Sequence, residues 1–152
     1  PEVGVVETPR ILVVDDHPDV LEVVRLTLKR SRPPLEVECA LSGEQALAKI
    51  GERPPHLVVL DLMMPGIDGY EVCRRLRSDL KTALIPVIML TACGDSESKQ
   101  LGFLAGTDDY IVKPFEGREL LARVHRLLER TYGWSLVRGQ EAAAPTARAV
   151  NG

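Results

Sequence analysis

The sequence is poor in aromatic residues, which make up 4% of the chain and include a single tryptophan. Proteins that bind single-stranded nucleic acids without base readout stack the bases on aromatic side chains. The formal net charge is −3, so the chain also lacks the overall basic character that marks nucleic-acid-binding domains. These two absences predict that this segment does not bind nucleic acid directly.

Paired cysteines and long apolar runs are missing as well. Cys39, Cys73 and Cys93 form no CxxC pair and no zinc-like spacing with the three histidines, which favours reduced thiols and a cytoplasmic protein. No apolar run approaches the roughly 18 residues that span a bilayer. The first ten residues lack a basic region followed by an apolar stretch, so we expect neither a membrane segment nor an export signal.

The glycine motifs of the common nucleotide-binding folds are also absent. No GxGxxG follows the first apolar run, and no GKS or GKT occurs in the chain. Both motifs cradle phosphate groups with backbone N–H groups at a helix N-terminus. Their absence excludes a dinucleotide-binding Rossmann domain and a P-loop.

Short apolar runs alternate with helical patterns from residue 10 to about residue 132. The runs predict strands over 11–14, 35–39, 57–60, 86–90 and 110–112, because each is short, apolar and bounded by turn residues. Apolar residues at helical spacing predict five helices, beginning near Pro18, Ser42, Tyr70, Ser96 and Gly117. Continuous apolar strands that alternate with helices indicate the α/β class, with a doubly wound, five-stranded parallel sheet covered on both faces.

The alternation also predicts the domain boundaries. Residues 9–132 form one domain, and residues 1–8 form an N-terminal extension. Residues 133–152 lose their apolar periodicity from Gly139 onward, which is typical of a flexible tail or the start of a linker. A single-domain protein and one part of a longer protein are both compatible with this pattern.

Polar residues end four of the five predicted strands. Asp15 and Asp16 follow the first strand, Asp61 the third, Thr91 the fourth and Lys113 the fifth. Each residue alone could be a helix cap or a surface charge. The carboxyl ends of parallel strands share one rim of the sheet, however, and ligands bind at that rim. We therefore expect three carboxylates, a hydroxyl and an ammonium group to converge.

This set of side chains suits phosphoryl transfer. Three crowded carboxylates are costly unless a cation shares them, and Mg²⁺, or Mn²⁺ in its place, accepts hard oxygen ligands. A carboxylate can act as the nucleophile toward phosphorus. An ammonium group and a hydroxyl can stabilise the charge on the phosphoryl oxygens.

The chain resembles the receiver domain of two-component response regulators over residues 9–131. The resemblance rests on four motifs in the same order: ILVVDD at 11–16, LVVLDLMMPGIDGYEV at 57–72, PVIMLTA at 86–92 and GTDDYIVKPF at 106–115. It implies a flavodoxin-like fold with strand order 2-1-3-4-5. It also implies a signalling domain that assists its own phosphorylation and dephosphorylation, rather than an enzyme.

The resemblance assigns roles to the site residues. Asp61 would accept a phosphoryl group from a histidine kinase, a phosphotransfer protein or a small phosphodonor, and Lys113 would hold that group. Mg²⁺ would bind to Asp16, to Asp61 and to the backbone carbonyl of Met63, with Asp15 acting mainly through water.

The resemblance also implies a switch and an output surface. Thr91 and Tyr110 would form the switch pair, in which Thr91 moves toward the phosphoryl group and Tyr110 turns inward. The fourth helix, fifth strand and fifth helix would control a partner or form a phosphorylation-dependent homodimer. Lys99 with Glu119 and Asp109 with Arg123 would be charge pairs across that dimer. The basic cluster Arg74, Arg75 and Arg77 is interpreted as a solvated helix face.

Two other functions have to be distinguished from this one. A Mg²⁺-dependent phosphohydrolase with an aspartate nucleophile needs a second acid two residues later, but Met63 occupies that position and cannot transfer protons. A receiver-like binding module that has lost phosphorylation stays open, although every expected acid, the threonine and the lysine are present.

Overall fold

A five-stranded parallel sheet forms the centre of the protein in the computed structural model, which describes residues 7–92, 101 and 105–134. The strands are β1 (Arg10–Val14), β2 (Glu36–Ala40), β3 (Leu57–Asp61), β4 (Val87–Thr91) and β5 (Asp109–Val112). They lie in the order β2-β1-β3-β4-β5, and every neighbouring pair is parallel. The predicted sheet and its strand order are confirmed.

Four complete helices lie within the described residues: α1 (Pro18–Lys29), α2 (Gly43–Glu52), α3 (Gly69–Arg77) and the C-terminal helix α4 (Gly117–Tyr132). The helix predicted near 96–105 lies mostly outside the described residues, although Leu101 and Ala105 are helical. No helix in the described part of the chain is long and apolar enough to cross a membrane.

Side-chain caps fix where α2 and α3 begin. Ser42 accepts a hydrogen bond from the Gln45 N–H group at 3.0 Å, and the Gln45 side chain accepts one from the Leu41 N–H group at 2.8 Å. Asp68 accepts a hydrogen bond from the Glu71 N–H group at 2.9 Å. These bonds satisfy N–H groups that have no partner in the first helical turn. The cap at Asp68 sets the start of α3 directly after the loop that follows β3.

The sheet is buried on both faces, which explains why β3 and β4 are apolar at every position before the polar residue that ends each of them. On one face, Leu12 and Met89 pack with α2 and α3. On the other, Ile11 and Ile88 pack with α1 and α4. All five residues of β3 are buried. A strand in the middle of a doubly covered sheet has no solvent face and therefore no polar alternation.

Arg77, at the end of α3, connects the starts of β4 and β5 through hydrogen bonds. Its guanidinium group donates to the Asp108 carboxylate at 2.9 Å, and Asp108 also accepts the Val87 N–H group at 2.8 Å. Three backbone carbonyl groups accept further hydrogen bonds from Arg77, those of Ala83, Ile85 and Gly106. Arg74 and Arg75 are exposed as predicted, but the interpretation of Arg77 as solvated is wrong.

Candidate functional site

Lys113 joins two of the carboxylates at the predicted rim of the sheet. Its ammonium nitrogen donates to Asp61 Oδ1 at 3.0 Å and to Asp15 Oδ2 at 3.2 Å. Asp15 is 1% exposed and Asp61 is 4% exposed, because each lies at the carboxyl end of a strand that is covered on both sides. The structure thus brings together residues that are separated by up to 98 positions in the chain.

Thr91 lies beside Lys113 at the same rim. It ends β4, pairs in register with Val112, and accepts a backbone hydrogen bond from the Lys113 N–H group at 2.7 Å. Thr91 is 1% exposed. The Lys113–Pro114 peptide bond is cis.

Burial and neighbouring charges shift the pKa values of Asp61 and Lys113. Burial raises the pKa of Asp61, and the nearby charge of Asp15 raises it further, while the hydrogen bond from Lys113 works in the opposite direction. Burial alone would lower the pKa of Lys113, but its bonds to Asp61 and Asp15 outweigh burial and raise it. A cation beside two acids stays charged, whereas the buried carboxyl of Asp61 resists ionisation.

Asp15, Asp16 and His17 bring three potential metal-ligating atoms within 4.8 Å of one another. The His17 ring nitrogen Nδ1 lies 3.2 Å from Asp15 and 3.3 Å from Asp16. Asp16 Oδ1 is fully buried and has no hydrogen-bond partner among the described residues. A buried carboxylate oxygen without a donor is a natural ligand for a cation, so the acids at this rim fit a hard divalent ion.

The loop after β3 closes tightly onto the backbone of Asp61. The Gly69 N–H group donates to the Leu62 carbonyl oxygen at 2.9 Å. A Cβ atom on Gly69 would lie 2.7 Å from the Asp61 carbonyl oxygen, which is closer than a side chain allows. Met63 lies in this loop, two residues after Asp61, and its side chain is 69% exposed. The first turn of α3 is therefore packed directly against the end of β3.

Tyr110, the second residue of the predicted switch pair, is turned into the protein. Only 7% of it is exposed, and it belongs to the apolar cluster beneath α2 and α3. Its hydroxyl oxygen lies 3.2 Å from that of Tyr70. The sequence gives no signal for this contact, because Tyr70 appears only as one residue in the first turn of a helix. The sequence analysis did not identify His17 as a possible ligand either, although it directly follows Asp15 and Asp16 in the chain.

Charged residues form a network on the surface of β5 and α4. Arg123 donates to Asp109 at 2.6 Å and to Glu119 at 3.1 Å, and Arg126 lies 3.4 Å from Asp109. The pair of Asp109 and Arg123, which the resemblance assigns to two subunits, thus forms within one chain. Lys99, the predicted partner of Glu119, lies outside the described residues.

An apolar groove runs beside the site, between α1 and the residues after β5. Its volume is about 460 Å³. Val20, Val23, Pro114 and Phe115 supply its apolar lining, and Lys113 borders it. Val23 is 60% exposed, so an apolar surface adjoins the buried acids.

The model of the response regulator receiver domain family matches residues 11–125, and the chain belongs to this family. It is therefore related to signalling proteins of two-component systems. The chain is 46% identical over 123 residues to the DNA-binding dual master transcriptional regulator RpaA of Synechocystis sp., covering 81% of this chain and 50% of RpaA. It is 48% identical over 121 residues to the transcriptional regulatory protein ResD of Bacillus subtilis, covering 80% of this chain and 48% of ResD.

A solved structure supports the same conclusion. The response regulator DrrB of Thermotoga maritima, an OmpR/PhoB homologue, superimposes with a TM-score of 0.73 and 42% identity, covering 82% of this chain and 54% of DrrB. The chain spans about half the length of the curated relatives it matches. The predicted family is confirmed.

Proposed function

We propose that this domain accepts a phosphoryl group on Asp61 from a histidine kinase, a phosphotransfer protein or a small phosphodonor. The observation that carries this proposal is Lys113, whose ammonium nitrogen lies 3.0 Å from Asp61 and 3.2 Å from Asp15. A buried aspartate with a cation beside it can take on a phosphoryl group whose added charge is balanced locally.

The reaction needs one bond to form and one to break. The ionised carboxylate of Asp61 attacks phosphorus, and the bond from phosphorus to the donor breaks with its electron pair leaving on the donor atom. Lys113 stabilises the negative charge on one phosphoryl oxygen. The Thr91 hydroxyl, at the same rim, is proposed to donate a hydrogen bond to another.

Asp15, Asp16, Asp61 and the backbone carbonyl of Met63 are proposed to hold Mg²⁺, or Mn²⁺ in its place. The buried oxygen of Asp16, which accepts no hydrogen bond from the described residues, supports this assignment. When bound, such an ion offsets the repulsion between an incoming phosphate and the carboxylates. The protein contributes the fixed spacing of its acids on strands that are buried on both sides.

Incubation with acetyl phosphate and Mg²⁺ tests the proposal directly. We expect intact-mass spectrometry to detect one added phosphoryl group, and peptide mapping to place it on Asp61. A chelator in excess should abolish labelling, because the repulsion among the carboxylates is then uncompensated. Labelling that persists in chelator, or that maps to a peptide without Asp61, contradicts the proposal. A failure to label with metal present favours the receiver-like module that has lost phosphorylation.

The groove beside Lys113 supports a protein donor. Exposed Val23 and the half-buried Val20 and Phe115 border the site. A partner with a matching apolar face would bury them and exclude water from the reacting groups. We propose that a helix carrying the phosphohistidine of the kinase or phosphotransfer protein docks there.

Thr91 and Tyr110 are proposed to connect phosphorylation to the output surface. Thr91 ends the strand next to Asp61, and Tyr110 is the second residue of the neighbouring strand β5. The phosphoryl group would favour one position of Thr91 through a new hydrogen bond, and thereby one rotamer of Tyr110. A ligand shifts such an equilibrium only by its different affinity for the two states.

A phosphorylation-dependent homodimer through the predicted fourth helix near 96–105, β5 and α4 is expected to be weak and sensitive to salt. Arg123 already bonds Asp109 within the chain, so a dimer exchanges one ion pair for another, and exposed pairs contribute only about 0–1 kcal/mol each. Analytical ultracentrifugation with beryllofluoride, a phosphoryl mimic, should detect dimers at low salt and fewer at high salt. An activated protein that stays monomeric at high micromolar concentration contradicts the dimer and favours a different partner on this surface.

We propose residues 9–132 as the receiver domain, flanked by an extension at 1–8 and a tail or linker start at 133–152. In a longer protein, DNA binding of the kind named for RpaA would belong to another domain, and this segment would regulate it. We also propose a cytoplasmic location, in agreement with the free thiols of Cys39 and Cys73.

A further inference from the structure

We propose that Tyr70 is a positioning residue that holds Tyr110 in its buried rotamer and couples the Asp61 loop to β5, in addition to Thr91. This inference rests on the proposed function of Asp61 and Tyr110. The juxtaposition that carries it is the contact between the two tyrosine hydroxyl groups, which joins a residue in the first turn of α3 to a residue of β5.

The first observation is the contact itself. The two hydroxyl oxygens are 3.2 Å apart, and either one can be the donor. Tyr110 is 7% exposed, and the Tyr70 ring packs against the same apolar cluster that contains Tyr110. A hydroxyl in an apolar cluster needs a partner to offset the loss of water, so Tyr70 stabilises the inward rotamer of Tyr110 relative to an outward one.

The second observation is the connection from Tyr70 back to the phosphoacceptor. Tyr70 directly follows Gly69, whose N–H group donates to Leu62 at 2.9 Å. The Gly69 Cα packs so closely on the Asp61 carbonyl that a Cβ there would lie 2.7 Å from it. A displacement of the loop after β3 therefore moves Gly69 and, with it, the Tyr70 ring.

Together the two contacts link Asp61 to Tyr110 through α3, whereas Thr91 links them through β4. Interior packing is dense, so neighbours in direct contact move together. The buried and exposed rotamers of Tyr110 are the two states, and Tyr70 favours the buried one. Tyr70 favours the buried rotamer before phosphorylation. It therefore raises the population of the state that the phosphoryl group is proposed to favour.

Fluorine NMR of protein labelled with 3-fluorotyrosine can test this, because the chain has three tyrosines that Tyr→Phe substitutions assign. The solvent-isotope shift of each signal between H₂O and D₂O measures the exposure of that ring. The test variant is Tyr70→Phe, which keeps the ring and removes the hydroxyl. The matched control is Tyr132→Phe, which removes a hydroxyl bonded to the His56 carbonyl oxygen at 2.7 Å.

Without beryllofluoride, we expect Tyr70→Phe to lower the ratio of buried to exposed Tyr110 by roughly two- to tenfold, the effect of losing one hydrogen bond. Beryllofluoride should restore the burial of Tyr110 in Tyr70→Phe. It should increase the burial of Tyr110 less in Thr91→Ala, and it should fail to restore it in the double variant. Tyr132→Phe should leave the Tyr110 signal unchanged, and Tyr70→Phe should leave the Tyr132 signal unchanged.

An unchanged Tyr110 signal in Tyr70→Phe overturns the proposal. So does a parallel shift of the Tyr132 signal, since that assigns the effect to general loosening of the domain. Labelling with acetyl phosphate and Mg²⁺ is measured on the same samples. If wild-type protein is not labelled, the proposed function and this inference both fail, whereas a labelled wild type with an unaffected Tyr110 overturns the inference alone.

Discussion

Asp61→Asn is expected to take up no phosphoryl group and yet to unfold at a higher temperature than the wild type in metal-free buffer at pH 7. An amide cannot act as the nucleophile toward phosphorus at this site. The same substitution removes a negative charge that burial and Asp15 make costly. Lys113 keeps a partner in the variant, because Asp15 lies 3.2 Å away.

The pH dependence of this stabilisation follows from the direction of the pKa shift. The pKa of Asp61 in the folded protein lies above its ordinary value of 3.8, chiefly because the carboxyl is buried. The folded state therefore binds this proton more tightly than the unfolded state, and the wild type loses stability as the pH rises through that window. The loss is complete above the raised pKa and absent below the ordinary value. The advantage of Asp61→Asn should accordingly be present at pH 7 and shrink in acid.

Thermal unfolding followed by circular dichroism from pH 7 down to pH 3.5, with chelator, measures this advantage. Glu52→Gln is the matched control, since it makes the same change of charge at an exposed position. We expect Glu52→Gln to leave the unfolding temperature nearly unchanged. A lower unfolding temperature for Asp61→Asn at pH 7, or an advantage that does not depend on pH, contradicts the electrostatic account of this site.

Arg77→Ala is expected to lower the free energy of unfolding by more than the alanine substitution of the neighbouring Arg74 does. The guanidinium group bonds Asp108 at 2.9 Å and three backbone carbonyl groups. The Arg77 side chain is 23% exposed and that of Asp108 is 34% exposed. Their pair is thus intermediate between an exposed pair, worth about 0–1 kcal/mol, and a buried pair that costs about 3–5 kcal/mol to break. We expect a loss of about 2–3 kcal/mol in the free energy of unfolding.

Urea unfolding of Arg77→Ala and Arg74→Ala separates this role from general surface charge. Arg74 is an exposed residue of the same helix, and its guanidinium group bonds only Glu71 among the described residues. Arg74→Ala should lower the free energy of unfolding by no more than about 0.5 kcal/mol. Equal losses in the two variants would refute the role assigned to Arg77. Because Arg77 anchors the start of β5, its loss should also increase the exposure of Tyr110.

The central sheet could be predicted because its strands have an unambiguous pattern. Leu57–Asp61 is buried at every position, and a short continuous apolar run is typical of such a strand. The convergence of Asp15, Asp61 and Lys113 followed from elementary topology, since all three residues lie at the carboxyl ends of parallel strands. The cap at Ser42 was predictable from its spacing to Gln45 alone.

The contacts of Arg77 and Tyr70 could not be predicted in this way. Arg77 bonds Asp108, which is 31 residues away, and Tyr70 contacts Tyr110, which is 40 residues away. Neither contact repeats along the chain, so neither leaves a periodic signal. In the sequence Arg77 cannot be distinguished from Arg74 and Arg75. In the structure it differs from them because it bonds the loop before β5, where Gly106 adopts a φ of 102°. A Cβ on Gly106 would lie 2.7 Å from the Arg77 side chain.

The position of β3 in the sheet has a consequence for the dynamics of the domain. β3 is hydrogen-bonded on both sides, to β1 and to β4, while β5 pairs with β4 alone in the sheet order. The amides of β3 should therefore exchange with solvent deuterium only on global unfolding, and those of β5 should exchange through smaller local openings. The proposed phosphoryl group on Asp61 would thus be attached to a strand that is held on both sides. We therefore expect the conformational change to occur at the edge of the sheet. There β5, which has one neighbouring strand, can shift without breaking hydrogen bonds to a second one.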